Sequence, residues 1–147
     1  MPSKNRYTVS TDPTRFDLAL IHRFLRSSYW AKSRPRRMIE KSIRHSFCFA
    51  IFFEDQQVGF ARVITDHAVF AYLADVFVIP EHQGRGAGAT LLRAILKHPK
   101  LQNIKRWLLA TRDAHKFYAQ FGFQPLDKPK RYMTILNPQT QRKGKRS

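Results

Sequence analysis

Three glycines fall within Gln83-Gly84-Arg85-Gly86-Ala87-Gly88, a run set between an apolar, strand-like segment and an amphipathic, helix-like one. Glycine lets the main chain approach a ligand with no Cβ in the way. At the first turn of a helix, successive N–H groups point outward and the dipole is positive. Such a turn suits an anion, most often a phosphate. The same run can also be no more than a tight strand-to-helix turn. It lacks the glycine spacing of a dinucleotide loop and the acidic residue expected after the next strand. It also lacks the Gly-Lys-Ser/Thr of a Walker loop.

Other chemically capable residues are sparse. Asp75 stands in the otherwise apolar run Tyr72–Ile79, where a lone carboxylate is costly unless paired. A partner in the backbone or in Arg62 is one reading, and binding of an amine is the other. The single cysteine, Cys48, excludes an intrachain disulfide framework and a multi-cysteine zinc site, and no metal is expected. Cys48 itself reads as a buried strand residue. His67 reads as a loop histidine and His115 as a surface one.

The elements that must position these residues follow from periodicity and punctuation. Residues 6–11 form a short strand. Asp12 and Pro13 start a helix, with Leu18, Ile21, Phe24, Leu25 and Ser28 at helical spacing. A second helix begins near Pro35, with Met38, Ile39, Ser42 and Ile43 on one face. Phe47–Phe53 and residues 58–65 make a hairpin, and residues 72–79 make a third core strand stopped by Pro80. Residues 86–97 are helical, with Leu91, Leu92, Ile95 and Leu96 buried. Residues 104–111 form another strand. Asp113 caps a short helix carrying Ala114, Phe117, Tyr118 and Phe121, and Gly122 ends it. Residues 131–136 close with a last strand. The order describes a mixed α/β chain with helices on both faces of one sheet.

With 147 residues, this is one domain over residues 1–138, followed by a basic, disordered tail over 139–147. The apolar share of 43% excludes a fully disordered chain. No apolar run is long enough to span a bilayer, and residues 1–6 do not resemble a signal peptide, so a cytoplasmic location and no membrane partner are expected. The net charge of +17 is unevenly spread. Residues 47–80 hold four acidic residues against Arg62, whereas residues 1–46 hold eleven basic against three acidic. Such a field steers polyanions toward the surface or merely keeps the protein soluble.

Two motifs together resemble the GNAT superfamily of N-acetyltransferases. Gln83–Gly88 is similar to its Q/R-x-x-G-x-G/A signature. Phe117-Tyr118-Ala119-Gln120-Phe121-Gly122-Phe123 is similar to its frequent F-Y-x-x-x-G-F, and the resemblance covers residues 6–136. It implies an α+β fold: a mostly antiparallel sheet of six to seven strands, a splayed parallel pair at the cofactor site, and about four helices on both faces. It implies acetyl-CoA as co-substrate. The pyrophosphate would lie on Gln83, Gly84, Arg85, Gly86, Ala87, Gly88 and Ala89, and the pantetheine along Val76, Phe77 and Val78. Thr111 stands where the family often has asparagine.

Tyr118 matches the tyrosine near the thioester sulfur, where a phenol can protonate the leaving thiolate as general acid. It can also be simply a packed helix residue. A main-chain N–H near Val78 would polarise the carbonyl. Where some relatives have Glu-Asp, this chain has Ala74-Asp75, so a glutamate base of that kind is missing. The acceptor pocket would use Tyr29, Trp30 and Asp75. The aromatics there would hold a flat or cationic acceptor or cap the first helix against the core.

The sequence thus predicts direct transfer of acetyl to a primary amine of a small molecule or peptide through a ternary complex. The alternative is a nucleic-acid- or ribosome-associated basic protein, binding RNA or another polyanion through its surface. Dimers are common in the family it resembles, which leaves a homodimer open.

Overall fold

The computed structural model describes residues 6–137; the expected basic tail over 139–147 lies outside the described residues. Two compact units divide the chain, Met1–Arg112 and Asp113–Ser147.

The first unit holds one sheet, β1 (Tyr7–Ser10), β2 (Phe47–Phe53), β3 (Gln56–Thr65), β4 (Phe70–Val78) and β5 (Arg106–Leu108), in spatial order β1-β2-β3-β4-β5. Neighbours are antiparallel except β4 and β5, which are parallel. The sheet has five strands among the described residues, not the six to seven expected. Residues 131–136 carry strand-favouring side chains such as Tyr132, Thr134 and Ile135, but they form no strand, and Met133 and Ile135 are almost fully exposed. Side-chain preference alone does not make a strand, which also needs a neighbour's hydrogen-bonding edge.

Helix α1 (Leu18–Ser27) starts later than Asp12 suggests. Asp12 instead caps a 3-10 turn, Pro13–Arg15, by accepting from the Thr14 amide, and Asp17 caps α1 through the Leu20 amide. Helix α2 (Arg36–Arg44) follows Pro35 as expected. Together α1 and α2 bury Ile21, Leu25 and Ile39 against Cys48, Phe60 and Phe77 of the sheet. The alternate residues of β2, Phe49 and Ile51, are buried on the opposite face. Helix α3 (Ala87–Leu96) packs against β1 to β4 through buried Leu91, Leu92 and Ile95. Its next residue but one, His98, meets the rings of Phe47 and Phe49 edge-on. Burying two apolar faces of one sheet accounts for the near-continuous apolar run of β2.

The second unit contains α4 (His115–Ala119). Its N-cap is Ala114, not Asp113, and no side chain caps it. Gly122 takes φ +99° as the chain leaves the helix. Its amide bonds the Ala119 carbonyl, as a helix-ending glycine should.

Candidate active site

Strand β4 is irregular where the chemistry is expected. Phe77 pairs with Phe60 and Ala74 with Arg62, so Asp75 and Val76 together oppose Ala61 alone. This is a β-bulge, and Asp75 carries it with φ +55°. The extra residue changes which face the following side chains take. Upstream, Leu73 pairs with Val63 on the α3 side; downstream, Phe77 joins the α1–α2 core, stacked on Phe24 at 4.1 Å.

The bulge is held by the Asp75 side chain. Its Oδ1 accepts from Trp30 Nε1 (2.9 Å) and Arg34 Nη1 (3.1 Å). Its Oδ2 accepts from Arg34 Nη1 (2.9 Å) and Arg62 Nε (2.8 Å). Burial pushes this carboxyl group's pKa up, but the Arg34 hydrogen bonds and the charges of Arg62 and Arg34 outweigh it, leaving the pKa below 3.8. Arg62 is the partner the sequence offered. Arg34 and Trp30 are not legible as partners because they come from the α1–α2 connection, far away in sequence. The surviving clue is the isolated carboxylate itself, which obliges some cation to be near.

On the far side of β4 from β3, pairing with β5 ends at Tyr72 opposite Leu108. The strand runs on through Val76, Phe77 and Val78 with no strand beside it there among the described residues. The expected strand over 104–111 is therefore the shorter β5. Pairing of the parallel strands thus stops at Leu108, short of Val76–Val78. Thr111 lies past the end of β5, half-buried.

The glycine run follows at once. Pro80–His82 forms a 3-10 turn, and Gln83 Nε2 donates back to the Val78 carbonyl (2.8 Å), tying the turn to the end of β4. Gly84 and Gly86 have φ of +76° and +88°, and a Cβ on either would meet nothing within 4 Å. These glycines are demanded by backbone conformation and face open space. Gly86 is the N-cap of α3, and no side chain caps that helix. Among the described residues, the amides of residues 84–89 have no acceptor. The site is thus a fan of acceptor-less N–H groups at the positive end of a ten-residue helix, exposed at residues 84–86, with Ala87 buried and Gly88 and Ala89 half-buried. It fits a diphosphate.

Trp30 and Tyr29 meet edge to face at 5.2 Å and are 38% and 47% exposed, so neither is absorbed into the core. The Arg112 guanidinium sits 3.8 Å from the Tyr29 ring centre, and the Arg112 amide donates to the Tyr29 hydroxyl. Asp66 is exposed and accepts from the Ala68, Val69 and Phe70 amides, while His67 contacts the Lys100 carbonyl. His115 is exposed. Cys48 is buried, and burial pushes its thiol to about 12. Tyr118, in α4, is half-buried, with its ring edge-on to Phe117 and Phe123. No group of three or more metal-ligating side chains occurs among the described residues, and no helix is long and apolar enough to cross a membrane.

The sequence pattern of the acetyltransferase (GNAT) family matches residues 16–123. A GNAT-family protein of Xanthomonas campestris pv. campestris, xcc2953, is 48% identical. It superposes with a TM-score of 0.86, covering 90% of this chain and 94% of that one. FG08082 of Gibberella zeae, provisionally named an acetyltransferase, is 32% identical over 83% of this chain and 81% of its own length. An uncharacterised ycf52-like N-acetyltransferase of Prochlorococcus marinus is 30% identical over 82% of this chain and 71% of its own. The bulged β4, the short parallel β4–β5 pair and the glycine turn stand in a chain that belongs to the GNAT family of acetyltransferases.

Proposed function

We propose that this acetyltransferase moves acetyl from acetyl-CoA directly to a primary amine. The observation that carries the reading is the set of acceptor-less amides at residues 84–89, beside glycines whose missing Cβ atoms leave open space. In this reading those amides hold the diphosphate of the co-substrate. The unpaired side of Val76–Val78 supplies main-chain groups to the amide-rich pantetheine arm, and Thr111 adds a hydroxyl. Gln83 contributes by fixing the turn to Val78.

The acceptor nitrogen attacks the thioester carbonyl, the C–N bond forms, and the C–S bond breaks. The amine gives up a proton and the departing sulfur takes one. Tyr118 is the group we assign to that second transfer. Tyr29 and Trp30 line the acceptor side, and Asp75 serves it by fixing Trp30 and Arg34 rather than by pairing with an ammonium. Cys48 takes no part: it is buried, its thiol is pushed to about 12, and direct transfer needs no covalent enzyme intermediate.

The test is ligand-induced thermal stabilisation. Acetyl-CoA should raise the melting temperature of the wild type. Gly86→Val should abolish most of that rise, since a β-branched residue at φ +88° costs about 1–2 kcal/mol and fills the ligand's approach. Undiminished stabilisation of the variant would remove the turn from the binding site.

A further inference from the structure

We infer that the acceptor is a primary amine that also carries an anionic group, carboxylate or phosphate, held by Arg34 beside Trp30 and Tyr29. This rests on the transferase reading and narrows it. Two guanidinium groups, Arg34 and Arg62, converge on one carboxylate, Asp75, so the cluster keeps a net charge of +1. Among the described residues no second carboxylate is bonded to either of them.

Asp75 has no capacity left for an ammonium, because its two oxygens already receive Trp30, Arg34 and Arg62. Arg34 is different. Only its Nη1 is committed; Nε and Nη2 have no acceptor among the described residues, and its side chain remains 25% exposed. A guanidinium held at one nitrogen by a buried carboxylate is pre-oriented to offer its other donors to an oxyanion.

The position suits an acceptor. Arg34 and Trp30 reach Asp75, immediately before Val76–Val78, the stretch of β4 with no strand on its β5 side among the described residues. Two exposed aromatic rings stand beside it, with the Arg112 guanidinium on one of them. Surplus positive charge there disfavours polycations. It also lowers the pKa of an incoming ammonium, which favours the free amine that attack requires. That offers a route to deprotonation in a chain with Ala74 where some relatives place a glutamate.

The experiment uses two matched pairs, L-phenylalanine with 2-phenylethylamine and O-phosphoethanolamine with ethanolamine. Thiol release is followed at saturating acetyl-CoA, and binding of the same four probes to the CoA-loaded full chain is followed by calorimetry. The anionic member of at least one pair should show kcat/KM or affinity about tenfold or more above its partner. That preference should shrink with added salt. The pair showing it tells carboxylate from phosphate.

Arg34→Gln should erase the preference while stabilisation by acetyl-CoA persists. Arg34→Lys, which keeps the charge facing Asp75, should restore part of it. Equal behaviour within both pairs, or a preference for the non-anionic members, overturns the inference. So does a preference that survives in a folded Arg34→Gln protein. Absence of stabilisation by acetyl-CoA would instead strike the transferase reading, and calorimetry repeated on the full chain without CoA would still report whether the anion is preferred.

Discussion

At Asp75 a carboxylate is buried in the middle of a strand, and two guanidinium groups and an indole N–H surround it. Removing one partner of such a cluster costs more than the pair contributes, because the remaining charges stay buried without compensation. Asp75→Asn should therefore lower unfolding free energy by about 3–5 kcal/mol in denaturant titration. The pH dependence has a definite sign. The folded-state pKa of this group is below 3.8, so its contribution is full above the unfolded value and is lost as pH falls through the folded one. Wild-type stability should decline on acidification below about pH 4, and the Asn variant should show a shallower decline. Tyr118 makes a second residue-level prediction. Tyr118→Phe should reduce kcat about a hundredfold or more while leaving the melting shift produced by acetyl-CoA nearly intact. An unchanged kcat removes Tyr118 as the acid.

At the scale of elements, β3 and β4 form a matched pair of irregular strands. Gly59 has no room for a side chain: a Cβ would lie 2.6 Å from the Phe77 carbonyl oxygen and 2.7 Å from Ile51 Cγ2. Close backbone approach is thus required on the strand that opposes the end of β4. Gly59→Ala should destabilise the protein by about 1–3 kcal/mol, measured by chemical denaturation. It should also weaken acetyl-CoA stabilisation, because Phe77 and Val78 would have to shift. A fully tolerated Gly59→Ala would mean that β4 is looser than its register implies. Gly84 and Gly86 differ: those positions need glycine for a positive φ and face open space, whereas Gly59 needs it for packing.

For the whole molecule the net charge of +17 is the dominant feature. It serves two separable effects. A diphosphate on a helix N-terminus is held at close range and should lose affinity only moderately with salt. A nucleic acid drawn to the basic surface should lose affinity steeply as counterions compete. Titrations with acetyl-CoA and with a short RNA at rising salt should separate the two. RNA binding that resists salt, together with no response to acetyl-CoA, would favour the polyanion-binding alternative over the transferase.

Much was legible in the residues alone. The helix after the glycine turn, the β2–β3 hairpin and the burial of Cys48 follow from local periodicity and from punctuation by glycine and proline, so they need no knowledge of distant contacts. Two motifs sufficed to point to the family. The strand expected over 131–136 was not decided locally, because strand-favouring side chains do not provide a pairing edge. The bulge at Asp75 was also hidden, since an extra residue in one strand exists only relative to its neighbour. The Trp30–Arg34–Arg62 enclosure of Asp75 depended on tertiary structure for the same reason. It joins a connection between helices to two strands, and electrostatic pairing over that separation is set by packing rather than by sequence order.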